Sequence, residues 1–426
     1  MSAGKPFASP SGVFGKMSRP LLTIFGILAI LPLAARAQAP GKVILYIADG
    51  AGVSYWTLAR FASEDLAINE FRVLGLVDTR ASNTRITDSA ASATAYASGI
   101  RTYNGAIGVD SDTISVPTVL EQVRDRGWAT GLVATSSVTH ATPASFAAHV
   151  PRRAMQFEIA RQLVESGVDV LLGGGRRWFS DETRPDSVDL VGRLLRTHSA
   201  AMDASELRAL DLDSTDRLFG LFAEDGMLPA PRRSPGLPDM TRAAIEVLDH
   251  DEDGFFLMVE GSQPDWRGHD NGPVQAITAE MLDFDRAIAV GLEYQRSHPE
   301  TLIVVLADHE TGGLAVQLAN DSVNMIETAA ELEIASSRLA GVAELLPDPK
   351  RAELELMADS LLASAVQIRL GARTAGQTVS LRATYTTRDH TAQMIPLFAS
   401  GPGAERFGGM IDNWRVGELL LELTRR

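Results

Sequence analysis

The sequence predicts an α/β fold: a three-layer sandwich with a central, mostly parallel sheet, helices on both faces and helical insertions. Three observations lead there. Six short runs, at 43–48, 128–134, 168–172, 255–260, 301–307 and 395–399, are almost continuously apolar, as strands buried on both faces require. Amphipathic helical stretches lie between them, and two of these stop at a glycine. The chain has 426 residues, 45% hydrophobic and 22% charged, the length and balance of one large globular α/β domain.

Before the first strand, Lys16 and Arg19 precede an apolar run over 21–33, and Ala35-Arg36-Ala37 follows. That order of basic, apolar and small residues predicts a signal peptide over 1–37 and an exported product, periplasmic or extracellular. The run is short for a bilayer, and nothing comparable follows it, so no membrane span is expected in the mature chain. Residues 38–426 then read as one domain, beginning with strand 43–48. Helix 116–126 ends at Gly127 before strand 128–134, and helix 153–166 ends at Gly167 before strand 168–172. Residues 180–237 are polar and contain several prolines, and a helical insertion is expected there. Helix 241–248 precedes strand 255–260. Pro273 suits the start of a helix over 274–295, which leads to strand 301–307. Residues 320–377 are rich in Ala, Leu and Glu and form a second expected insertion or cap, before strand 395–399.

Acidic residues outnumber basic ones 54 to 39, for a formal charge of −15. A nucleic-acid surface needs clustered positive charge, so no specific nucleic-acid binding is expected. The chain has no cysteine, which excludes disulfides, thiolate metal sites and a cysteine nucleophile. Any metal must be held by His, Asp, Glu, hydroxyls or water.

Polar residues gather where an open α/β sheet binds ligands, at the carboxyl ends of its strands. Asp49 follows strand 43–48, Glu260 closes strand 255–260, and Asp308 and His309 follow strand 301–307. His140 and Thr142 come shortly after strand 128–134. So many carboxylates in one pocket repel one another unless cations compensate them. If the chain coils after Pro264, Asp265 and His269 share one helix face and can grip one metal. Alone, such a pair is common on helix surfaces; the recurrence of His in Asp308-His309 and Arg388-Asp389-His390-Thr391 makes metal the better reading. Ser89 opens the small-residue stretch 89–98 behind Thr87 and Asp88, either of which can cap a helix, with Gly99 as its stop. A helix start favours an anion. The same stretch also fits a capped, Ala-rich packing helix, and a serine nucleophile needs activation from elsewhere.

These segments resemble the alkaline phosphatase family. The resemblance runs from about residue 43 to 409 through ADGAG (48–52), TDSAASATAYASG (87–99), THATPASFAAHVPRR (139–153), VEGSQPDWRGH (259–269), ADHETGG (307–313) and RDHT (388–391), in that order. It implies hydrolysis of small-molecule phosphate monoesters through a phosphoserine on Ser89, at a site with two Zn2+ and one Mg2+. Asp265, His269 and His390 match the ligands of one zinc. Asp49, Asp308 and His309 match those of the other, which also meets Ser89. Asp49, Thr142 and Glu260 match the magnesium site. Arg153 matches the arginine that clamps the phosphate, with Asp88 placed to hold it. Homodimers are usual in the family, which makes a homodimer one expected assembly. Two positions depart from the best-known bacterial form: His140 stands in place of an aspartate and Trp266 in place of a lysine. His140 either ligates the third metal directly or leaves magnesium to be held through water.

Overall fold

The computed structural model describes residues 39–318 and 381–425, with a few positions between them (336–339, 354, 357–358 and 361). The expected signal peptide lies outside the described residues, and the expected insertion at 320–377 lies almost wholly outside them.

The strands are β1 (Lys42–Ala48), β2 (Val73–Asp78), β3 (Ala129–Ser137), β4 (Val170–Gly174), β5 (Ser199–Ala201), β6 (Leu218–Leu221) and β7 (Phe255–Gly261). They continue with β8 (Thr301–Leu306), β9 (Glu310–Thr311), β10 (Ala315–Leu318), β11 (Leu381–Thr384), β12 (His390–Thr391), β13 (Ile395–Ser400) and β14 (Gly409–Asp412). Ten of them form one sheet in the order β14-β2-β13-β8-β1-β7-β3-β4-β6-β5. Only β13 runs against its neighbours; every other pairing is parallel. The central strands are buried along nearly their whole length, which is why their sequences are apolar without alternation.

The helices are α1 (Val53–Ala62), α2 (Ser89–Ser98), α3 (Val119–Arg124), α4 (Ala141–Ala144), α5 (Gln156–Glu165) and α6 (Leu190–Leu194). Then come α7 (Ala204–Ala209), α8 (Leu237–Leu248), α9 (Gln263–His269), α10 (Val274–Ser297) and α11 (Asn413–Leu423). α8 packs on β3, β4 and β7, α10 on β1, β7 and β8, and α3 on β3 and β7.

Two expectations are corrected. The stretch 180–237 is not simply a helical insertion: besides short helices it supplies β5 and β6, which extend the main sheet at one edge. Three- and four-residue strands in a polar setting leave too little apolar pattern to read. The helix expected over 153–166 begins only at Gln156, so Arg153 lies in the turn before α5.

β1 lies between β7 and β8, so the loops leaving these three strands open beside one another. The pairing of β3 with β4 shifts register between Val133 and Ser137, near the end of β3. Gly50 makes the first turn possible. Its φ is +73°, and a Cβ there would sit 2.6 Å from the Asp265 Cα.

Candidate active site

At this end of the sheet, three groups of side chains bring potential metal donors together. They are Asp265, His269 and His390; Asp49, Asp308 and His309; and Asp49, His140 and Glu260, each with donor atoms within 4.8 Å of one another. Asp49 belongs to two of them.

The first group is built by α9 and β12. One helical turn brings His269 Nε2 to 3.3 Å from Asp265 Oδ1, and His390 Nε2 lies 3.6 Å from the same oxygen. The other ring nitrogen of each histidine faces a backbone carbonyl, that of Arg388 for His269 and that of Thr87, at 2.9 Å, for His390. A carbonyl only accepts, so both rings carry their proton on Nδ1 and turn an Nε2 lone pair inward, as metal-binding histidines do.

In the second group, His309 Nε2 is 3.2 Å from Asp308 Oδ2, 3.6 Å from Asp49 Oδ1 and 3.2 Å from Ser89 Oγ. The amides of Gly50 and His309, each at 3.0 Å, occupy Asp308 Oδ1 and leave Oδ2 free. In the third group, Ser262 and Ser136 donate to Glu260 Oε2 at 2.7 and 3.2 Å. Glu260 Oε1, Asp308 Oδ2, Thr142 Oγ1 and both Asp49 oxygens are buried without a hydrogen-bond partner.

Such orphaned acceptors cost free energy unless a cation meets them. The proton affinities show the same strain. Burial, reinforced by the Asp308 charge, raises Asp49 well above the usual carboxylate range. Burial lifts Glu260 to about 7 against the pull of its Ser262 hydrogen bond, and burial with the Asp265 charge lifts Asp308 to about 6. Burial drives His309 down, with His390 adding to the effect. Oxygen-rich and imidazole-rich donor sets with unmet acceptors fit divalent metals.

Ser89 is the first residue of α2. Asp88 is the N-cap, its carboxylate accepting from the Ala91 amide at 3.0 Å, and Gly99 ends the helix at φ +71°. The helix start places Ser89 beside the second metal group, with the favourable end of the dipole toward an incoming anion. Asp88 also accepts from the Gly105 amide and from Arg153 Nη1 at 3.1 Å. Arg153 Nη2 donates to His140 Nε2 at 3.0 Å. Burial and the Arg153 charge lower His140 to about 3, so its ring is neutral, with the proton on Nδ1 in this arrangement.

All the residues singled out in the sequence thus converge. Sequence reasoning missed the groups that hold them. Thr311 donates to Asp265 Oδ1 at 2.5 Å and lies 3.2 Å from His309 Nδ1, linking two metal groups. Ser136 and Ser262 orient Glu260. Thr311 and Ser262 stand inside the quoted segments, two residues beyond a ligand, and that spacing was the only signal of their role.

A mostly parallel sheet whose strand ends gather carboxylates and imidazoles around a buried serine and a half-buried arginine defines a metal-assisted hydrolase acting on an anion. The comparisons make this specific. The alkaline phosphatase profile matches residues 41–425. The chain is 35% identical over 414 residues to alkaline phosphatase 3 of Bacillus subtilis, spanning 88% of this chain and 87% of that one. It is similar to the structure of the alkaline phosphatase from the Antarctic bacterium TAB5, with TM-score 0.74 and 32% identity, covering 91% of this chain and 99% of that one. A variant of the Antarctic enzyme, with one histidine replaced by glutamate and magnesium bound in its M3 site, matches with TM-score 0.72 and 31% identity, over 92% and 99% of the two chains. The chain belongs to the alkaline phosphatase family. It is a metal-binding phosphomonoesterase that acts on small phosphate monoesters. Among the described residues no helix is long and apolar enough to cross a membrane.

Proposed function

We propose that the enzyme hydrolyses phosphate monoesters through a phosphoserine on Ser89, in a site for two Zn2+ and one Mg2+. Asp265, His269 and His390 would hold one zinc, and Asp49, Asp308 and His309 the other. Asp49, Thr142 and Glu260 would hold magnesium, using the acceptors that lack partners. Bound cations would supply positive charge to the phosphoryl oxygens and lower the pKa of the Ser89 hydroxyl and of the attacking water.

The observation that carries this reading is Ser89 Oγ, 3.2 Å from His309 Nε2 at the start of α2, among carboxylates with unmet acceptors. Arg153, held by Asp88, grips two phosphoryl oxygens. Ser89 Oγ attacks phosphorus as the bond to the leaving oxygen breaks in line. Water then attacks phosphorus from the vacated side, and the Ser89 oxygen leaves with phosphate released. Two inversions retain configuration. His140 takes one of two exclusive roles. While Nε2 accepts from Arg153, Nδ1 carries the proton and cannot ligate; ligation through Nδ1 requires that hydrogen bond to break. The basic, apolar and small-residue order of 1–37 supports export.

The test is turnover of p-nitrophenyl phosphate and bis-p-nitrophenyl phosphate with zinc and magnesium, beside Ser89→Ala. Monoester turnover that EDTA abolishes and the substitution cripples, with Ser89 as the trapped phosphorylated residue, is expected. Preference for the diester would remove the Arg153 clamp from the mechanism, and full activity of the Ser89→Ala enzyme would remove the phosphoserine.

A further inference from the structure

We propose that His149 and Glu121, which lie outside all three metal groups, are positioning residues that set Arg153 and so tune the grip on phosphate. The inference rests on the reading of Arg153 as the phosphate clamp.

Two chain segments run side by side from these residues to the site. Val150 and Ile107 exchange backbone hydrogen bonds of 2.9 and 3.1 Å, and the Arg153 amide donates to the Gly105 carbonyl at 2.8 Å. At the near end, the Gly105 amide and Arg153 Nη1 both donate to the Asp88 carboxylate beside Ser89. At the far end, the His149 ring closes the pair of segments. Its Nδ1 lies 2.6 Å from the Gly108 carbonyl and its Nε2 2.8 Å from Glu121 Oε1. Gln162 of α5 clasps the His149 backbone from the other side, accepting from its amide at 2.6 Å and donating to its carbonyl at 3.2 Å.

Both partners of the His149 ring are acceptors. A neutral imidazole has one N–H and can satisfy only one of them, so this arrangement calls for the imidazolium. Burial opposes the charge, but the hydrogen bonds to Glu121 and Gly108 outweigh it and raise the pKa of His149 above its ordinary value. Among the described residues the titratable group facing the ring is Glu121. Arg124 acts on Glu121 from the same helix, and Glu158 sits behind Gln162. Glu121 is itself fixed, because it closes the capping box of α3 with Thr118. The pair therefore ties the segment that ends at Arg153 to a rigid helix start. Arg153 meets the third metal group through His140 but touches no donor of the other two, so the pair can shift Arg153 without changing retention in those two groups.

The experiment measures inhibition by inorganic phosphate and KM for p-nitrophenyl phosphate in the zinc- and magnesium-loaded enzyme. The variants are His149→Leu, Glu121→Gln, Arg153→Ala and the double variant His149→Leu/Arg153→Ala, with bound metal counted for each. His149→Leu is expected to weaken phosphate inhibition about ten-fold, since a displaced clamp loses much of its contact. Zinc content should be unchanged, and the effect should vanish in the Arg153→Ala background. Glu121→Gln keeps the side-chain volume and removes the charge, so it reads the same effect in smaller measure should His149→Leu fail to fold. Equal weakening with and without Arg153 overturns the inference, as does unaltered phosphate inhibition in both single variants. If Arg153→Ala itself leaves phosphate inhibition unchanged, the clamp reading fails instead.

Discussion

Asp49 is the residue on which the metal groups depend most, because it serves two of them and neither of its oxygens has another partner. Asp49→Asn keeps its shape and removes its charge. The variant is expected to lose metal from both groups together, measured as metal content after dialysis. Retention of the full complement would show that the shared carboxylate is dispensable. His140 makes a different prediction. A carboxylate is a harder donor than imidazole and suits magnesium. His140→Asp is therefore expected to raise the magnesium retained at the third group, read by competition against zinc. An unchanged ratio would place that side chain outside the metal's reach. Most of these residues were legible because each ends a strand or opens a helix, where sequence pattern and chemistry coincide. Thr311, Ser136 and Ser262 were not, since a hydroxyl that orients a ligand looks like any other, and a spacing of two from a ligand, as in Thr311 and Ser262, is too common to single it out.

Elements as well as residues carry charge into the interior. The segment 229–236 is pinned to α10 by Arg233, which is 1% exposed as a side chain and bridges Glu280 and Asp283, each at 2.7 Å. Arg233 also donates to the Leu228 carbonyl, and Glu280 accepts from the Ala230 amide at 2.9 Å. Arg233→Met would leave Glu280, 2% exposed, without its cation, and Asp283, 5% exposed, with only Arg286 at 3.0 Å. Breaking a buried ion pair from one side typically costs about 3–5 kcal/mol. Urea unfolding of the metal-loaded variant should show a loss of that order, and a loss below about 1 kcal/mol would mean the carboxylates find water or protons instead. The elements differ in how far the sequence announced them. β1, β7 and β8 are buried throughout and read directly as apolar runs. β2 lies near the sheet edge, where Leu74 and Leu76 are exposed, and a glycine interrupts its pattern, so it escaped notice. β5 and β6 were hidden by their length.

Across the whole molecule, the formal charge of −15 and the buried carboxylates make folding sensitive to both pH and metal. In the metal-free chain, Glu260 at about 7 and Asp308 at about 6 stand above their ordinary values of about 4.3 and 3.9, and burial is the main cause of both. A carboxyl whose folded pKa is raised binds its proton more tightly in the native state than in the unfolded one. Its contribution to stability is complete below the unfolded pKa and is lost as pH rises through the folded pKa. The EDTA-stripped protein should therefore lose melting temperature between about pH 4 and pH 7 relative to an EDTA-stripped Glu260→Gln variant, which cannot titrate there. Groups with lowered pKa values act in the opposite sense: His140 and His309 do so in this same window, since their unfolded rings take up a proton at about pH 6.5, but the variant carries both unchanged, while Glu158 and Asp186 do so only on further acidification. Cations bind the folded site and not the unfolded chain, so zinc with magnesium at pH 8 should restore the melting temperature. Ligand at a hundred times its Kd stabilises by about 2.7 kcal/mol per site. Restoring metal should also flatten the pH dependence, since a compensated carboxylate no longer gains by taking up a proton. A metal-free difference between the two proteins that stays level from pH 5 to pH 8 would mean that water enters the site and solvates Glu260, so that a cation is not what its burial demands.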